Sequence, residues 1–198
     1  MGSRLLVAVG VGLLVGGATS LLQTVLPQAV APLANSAGSW CVAAWWLARP
    51  GPTRAPLVVL TLGATLGALG ALVGMVAGYY LVADLRGFGV FAPSVAVWLV
   101  AAALVAPLLG VAATWPLRTR GVRRVAGALV LPGLLLVEAA YGLVVVRATT
   151  SVGYWVAEGV LAVLLAAGLS RRRGSGRVPP SVFADSDNGA ITGSPRNT

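Results

Sequence analysis

The chain has 198 residues, of which 58% are hydrophobic and only 10% charged, and its 14 basic residues, all Arg, face 5 acidic ones. A soluble domain carries about a quarter charged residues, and a mean hydropathy of +0.90 leaves no material for a water-facing shell. Composition therefore excludes a soluble enzyme, a disordered chain and a nucleic-acid-binding domain. It points to an all-α polytopic membrane protein with lipid as its main solvent and partner.

Six apolar runs are long enough to cross a hydrocarbon core of about 30 Å, and none has the short alternating pattern of a barrel strand. The first, 5–26, follows Arg4. It competes with a cleaved signal peptide ending near GGATS, but its apolar core continues through Leu21, Leu22, Val25 and Leu26, and a signal core is shorter. The second is 30–48 and contains the single Cys41, which can form neither an internal disulfide nor a cysteine metal cluster and reads as a packing residue. The third, 55–82, exceeds the bilayer thickness and should tilt; Pro56 lies in its first turn, where the missing N–H is tolerated. The fourth and fifth, 91–115 and 125–146, carry Pro107 and Pro132, each expected to kink its helix. The sixth is 152–170, and residues 171–198 read as a disordered cytoplasmic tail. Residues 1–170 thus form a six-helix transmembrane domain.

Arginine placement gives orientation. With the N-terminus inside, Arg4, Arg49, Arg54, Arg118, Arg120, Arg123, Arg124 and the tail arginines are cytoplasmic, and only Arg86 and Arg147 lie outside. Both termini are expected in the cytoplasm, on the positive-inside rule. Trp45, Trp46 and Trp115 fall near inner ends, and Tyr79, Tyr80, Tyr154 and Trp155 near outer ends, as anchoring belts do.

Gly63, Gly67, Gly70, Gly74 and Gly78 recur every three or four residues, as do Gly12 and Gly16, so each set marks one close-packing helix face. Such faces serve static packing, a sliding interface or a homo-oligomer contact. Three hairpins starting inside allow either tandem pairs or two inverted halves.

Chemistry is limited by absences. With no His and no Lys the commonest general base and metal ligand is missing, as is Schiff-base and P-loop chemistry, so neither catalytic residues, a metal nor a cofactor is expected. Once loops and tail are subtracted, two charges remain inside spans, Glu138 and Glu158. At 1.5 Å per residue they lie roughly 12 Å and 9 Å below the outer ends of their helices. Sequential helices are normally antiparallel neighbours, so the two carboxyls can face one another at similar depth. Thr19, Ser20, Gln23, Thr24, Asn35, Ser36 and Ser39 reach the same outer half, and Tyr141 and Tyr154 share faces with Glu138 and Glu158. One reading is a polar cavity in which Glu138, Glu158, Tyr141, Asn35 and Gln23 bind a small solute or relay a proton. The other is a hydrogen-bond network that only holds the bundle together, worth about 0.6 kcal/mol per bond.

The segments TSLLQT, LANSAGSW, GYYL with DLRGFGV, APLLG and VEAAYG occur in that order between residues 10 and 145. Together they resemble an uncharacterised family of actinobacterial integral membrane proteins of similar length. The resemblance implies a six-helix protein of the bacterial plasma membrane with no assigned catalytic or ligand residues, and it does not reach the sixth helix. A small-solute or proton-coupled transporter and a non-catalytic accessory membrane subunit are the two functions that fit; an enzyme is not expected.

Overall fold

The computed structural model describes residues 2–34 and 36–171, with only the backbone described at 169–171. These residues form a bundle of six α-helices and one short 3-10 turn: α1 (Gly2–Leu22), the turn Ala31–Ala34, α2 (Ala37–Ala48), α3 (Leu57–Leu85), α4 (Ala92–Arg118), α5 (Gly121–Val144) and α6 (Val152–Arg171). Four of them, α1, α3, α4 and α5, are long and apolar enough to cross a membrane. Asn35 and the tail beyond Arg171, expected to be disordered, lie outside the described residues.

Packing is inverted relative to a water-soluble domain. The buried positions are mostly small, among them Ala44, Ala68, Ala71, Ala106 and Ala113, while Leu6, Leu14, Val97, Leu104, Val137 and Leu164 are exposed. Small residues let backbones approach and the large aliphatic side chains turn outward, a surface suited to hydrocarbon.

The most extensive helix contact is between α1 and α3. An added Cβ on Gly12 would strike the Ala71 carbonyl, on Gly16 that of Met75, on Gly74 that of Val9 and on Gly78 that of Leu13. Residue numbers rise together along this seam, so α1 and α3 run parallel. The stretch between them must return the chain across the bundle. Gly12, Gly16, Gly70, Gly74 and Gly78 are taken up by this contact, and Gly67 stands apart, toward Ala48 of α2, with its would-be Cβ at an ordinary 3.6 Å.

The return path departs from the expected helix at 30–48. Pro27 and Pro32 donate no backbone N–H, the chain takes a 3-10 turn at Ala31–Ala34, and Ser36 is extended (φ −81°, ψ 128°) with its hydroxyl accepting from Ser39 N–H. Helix α2 therefore starts at Ala37 and its 12 residues rise about 18 Å, short of a bilayer core. The α3 terminus is fixed by Gly87 at φ 82°, a left-handed position that suits glycine and that lets Phe88 N–H reach the Ala83 carbonyl at 3.1 Å. Helices α4 and α5 continue through Pro107 and Pro132. Antiparallel α3 and α4 meet where Thr61 and Thr114 hydroxyls lie 3.0 Å apart and Thr114 also donates to Gly110 O at 2.8 Å.

Arg4, Arg49, Arg54 and Arg118 share one end of the bundle, where an Arg118 guanidinium N–H donates to Thr53 O at 2.6 Å. Arg86 is at the other end, where its guanidinium donates to the Ser20 carbonyl.

Candidate functional site

Helices α5 and α6 are joined by a short segment and pack against each other. Their register is set by Gly142, where any side chain would overlap the Trp155 indole, and by Gly159, whose would-be Cβ lies 3.7 Å from Ala139. Trp155 is held in turn by an Nε1–H bond to Thr150 Oγ1 at 2.8 Å. About one turn deeper from this contact on each helix, Glu138 and Glu158 bring their carboxyl groups together.

Glu138 then reaches across to the start of α2. Its Oε1 accepts the Ala37 N–H at 2.7 Å, and its Oε2 accepts the Gly38 N–H. The first turn of a helix has amide N–H groups with no partner of their own, and its dipole favours negative charge. Here Glu138 fills two of those positions and the Ser36 hydroxyl a third, at 3.2 Å from Ser39 N. Gly38 makes the approach feasible, because a Cβ there would collide with both carboxyl groups and with Leu135 Cδ2.

Glu158 is only 7% exposed, and its Oε2 is buried without a hydrogen-bond partner. The Ser36 hydroxyl is within bonding reach of both Glu138 and the half-buried Tyr154. Cys41, one turn further along α2, is a buried free thiol.

Among the residues expected from the sequence to form one site, Glu138 and Glu158 meet. Gln23 does not join them: its side-chain oxygen accepts the Tyr79 hydroxyl at 3.0 Å between α1 and α3. Tyr141 is 55% exposed and turned to the exterior, and Asn35 lies outside the described residues. Sequence reasoning missed the roles of Ser36 and Gly38. Their signal was present as an N-cap serine followed by small residues in NSAGS, but it sits inside a continuous apolar run that hides a helix start.

Cavities lie elsewhere among the described residues. One of about 310 Å³ lies at the arginine-rich end, and one of about 40 Å³ lies beside Trp40 and Trp98; neither is lined by Glu138 or Glu158. No curated protein and no solved structure matches the chain. A family model does match, over residues 1–184, and so extends past the resemblance seen in the sequence to include α6 and Glu158; the chain belongs to that family, DUF6518, a family of unknown function.

Proposed function

We propose that this chain is a multi-pass protein of the bacterial plasma membrane, crossing six times with both termini cytoplasmic, and that Glu138 and Glu158 form a proton-binding site coupled to the packing of α6 against α2. The crossing number is supported by parallel α1 and α3, which require the segment between them to recross even though α2 is short. Orientation is supported by the gathering of Arg4, Arg49, Arg54 and Arg118 at one end.

The single observation carrying the proton reading is the buried, unpartnered Glu158 Oε2 beside a carboxylate already committed to a helix N-terminus. Two carboxyl groups in contact in a low-dielectric surround share a proton, because like charges so close cannot both persist. A helix N-terminus contributes only about half a positive charge, enough to favour one ionised carboxylate and not two. Removing the shared proton would therefore drive Glu158 away from Glu138, which stays on the α2 N-terminus, and so change the packing of α6 against α2. A short helix whose N-terminus meets an anionic group inside the bundle resembles the discontinuous helices that secondary transporters use for substrates and coupling ions. The function that fits is a proton-coupled, transporter-like protein for a small solute, with no catalytic step.

A second reading, an accessory subunit in which the same residues only brace the bundle, is favoured by one observation: backbone N–H groups already occupy both oxygens of Glu138. Infrared difference spectra of the reconstituted protein, recorded from acid to alkaline pH, separate the two. The proton reading expects a buried carboxylic-acid band that titrates, disappears in Glu158→Gln and accompanies proton movement into dye-loaded vesicles; Glu138→Gln should fold and lose that movement. A band that stays constant with pH, with unchanged proton movement and lower thermal stability in Glu138→Gln, would replace it with the bracing role.

A further inference from the structure

The cavity at the arginine-rich end has no part in the carboxylate site. It lies between the start of α1, the end of α2 and the start of α3, and its volume of about 310 Å³ is at the lower end of the range for ligand pockets. Its walls are apolar, including Leu5, Leu47, Leu60 and Leu66, while its rim carries Arg4 and Arg49; no described carboxylate lines it. Both side chains are exposed. Arg4 folds over the connection after α2, its Nη2 2.7 Å from where a Gly51 Cβ would stand. Arg49 lies over the rings of Trp45 and Trp46, 5.1 Å and 5.2 Å from their centroids.

Two arginines lining an otherwise apolar hollow match a ligand with an anionic head and a hydrocarbon body. Guanidinium binds phosphate oxygens in a planar, two-pronged fashion, and basic pockets between membrane helices on the cytoplasmic side take lipid headgroups. We propose that this cavity binds one anionic phospholipid of the inner leaflet, its phosphate between Arg4 and Arg49 and the upper part of one acyl chain against Leu5, Leu60 and Leu66. The lipid fills the gap that short α2 leaves between the starts of α1 and α3 and links the three elements at that end. This inference rests on the membrane reading and is independent of the proton site.

Native mass spectrometry of the full chain in mild detergent, titrated with phosphatidylglycerol or with phosphatidylcholine of the same acyl chains, tests it. The expected result is one phosphatidylglycerol retained in preference to phosphatidylcholine. Retention should weaken roughly fivefold with Arg4→Gln or Arg49→Gln and about thirtyfold with both. Val59→Phe, a larger side chain at a position that lines the cavity, should reduce binding of either lipid, whereas the double change Arg123→Gln and Arg124→Gln at the start of α5 should leave it intact. Equal retention of the two lipids, equal loss with the Arg123 and Arg124 pair, displacement by inorganic phosphate, or unaltered retention in Val59→Phe would each overturn the proposal. If the arginine variants do not fold, Val59→Phe decides alone. A chain that washes off cell membranes would instead defeat the membrane reading itself, so the two failures are distinguishable.

Discussion

Adding one methyl group at Gly78 and one at Gly67 should have opposite consequences, although both glycines belong to the same periodic stripe of α3. At Gly78 the new Cβ would overlap the Leu13 carbonyl oxygen and approach its carbonyl carbon at 2.8 Å and its Cα at 2.9 Å. Those are backbone atoms that no rotamer change can move. Relaxation to an ordinary carbon contact of about 3.5–4.0 Å requires α1 and α3 to separate by roughly an ångström along their whole seam. Overpacking of this kind costs about 1–3 kcal/mol, which for a protein of this size lowers the thermal midpoint by roughly 2–12 °C. At Gly67 the new Cβ would lie 3.6 Å from Ala48 Cα and 3.9 Å from its Cβ, an ordinary van der Waals contact. Together with the higher helix propensity of Ala, Gly67→Ala should leave the midpoint unchanged or raise it. Tryptophan fluorescence melts of the purified variants in one detergent give the comparison directly. Equal midpoints, or a larger fall for Gly67→Ala than for Gly78→Ala, would refute the assignment of Gly78 to a backbone-on-backbone seam.

The other expectations concern α2 and its neighbours. Gly38→Ala should push Glu138 and Glu158 off the start of α2, making Cys41 more accessible to a membrane-permeant thiol reagent at fixed pH; unchanged labelling would mean that the carboxyls do not hold α2 there. Ser36→Ala removes the cap on Ser39 N–H and should cost about 0.5–2 kcal/mol, read as a lower denaturation midpoint. Thr61→Val should cost only about 0.6 kcal/mol, because Thr114 keeps its bond to Gly110 O; a loss of several kcal/mol would show that the Thr61–Thr114 contact matters far more than a single interhelical bond.

Hydropathy alone located the helices because apolar length is a direct requirement of a lipid-facing helix, and α1, α3, α4, α5 and α6 begin and end within a few residues of the runs read from the sequence. It failed at α2 for the same reason. Residues 30–34 continue the apolar run into α2, yet Pro32 and the extended Ser36 keep them out of that helix, and hydropathy carries no information about who satisfies the N–H groups at its start. The meeting of Glu138 and Glu158 followed from antiparallel neighbours and matching depth. Tyr141 could not be placed by spacing alone: the buried face of α5 runs through Leu131, Leu135, Ala139 and Gly142, so Glu138 sits at its edge and Tyr141 a further step outward. Depth in the bundle groups Gln23 with the carboxylates, but depth does not distinguish sides of a bundle, and the Gln23 side chain bonds to Tyr79 of α3.

The glycine stripe shows the same limit. Periodicity identified a flat face, and only the opposing backbone separates Gly74 and Gly78, which touch α1, from Gly67, which looks toward α2.

The bond between Ala37 and Glu138 joins residues 101 positions apart, and this separation orders the assembly of the chain. When α2 leaves the ribosome the Ala37 and Gly38 N–H groups lack their Glu138 acceptor, and they gain it only after α3, α4 and most of α5 have been made. The α1–α3 glycine seam, by contrast, needs nothing beyond residue 85, so it can close before α2 has its final partner. A chain truncated after α4 should carry α2 in a protease-sensitive state, and completion of α5 should protect it.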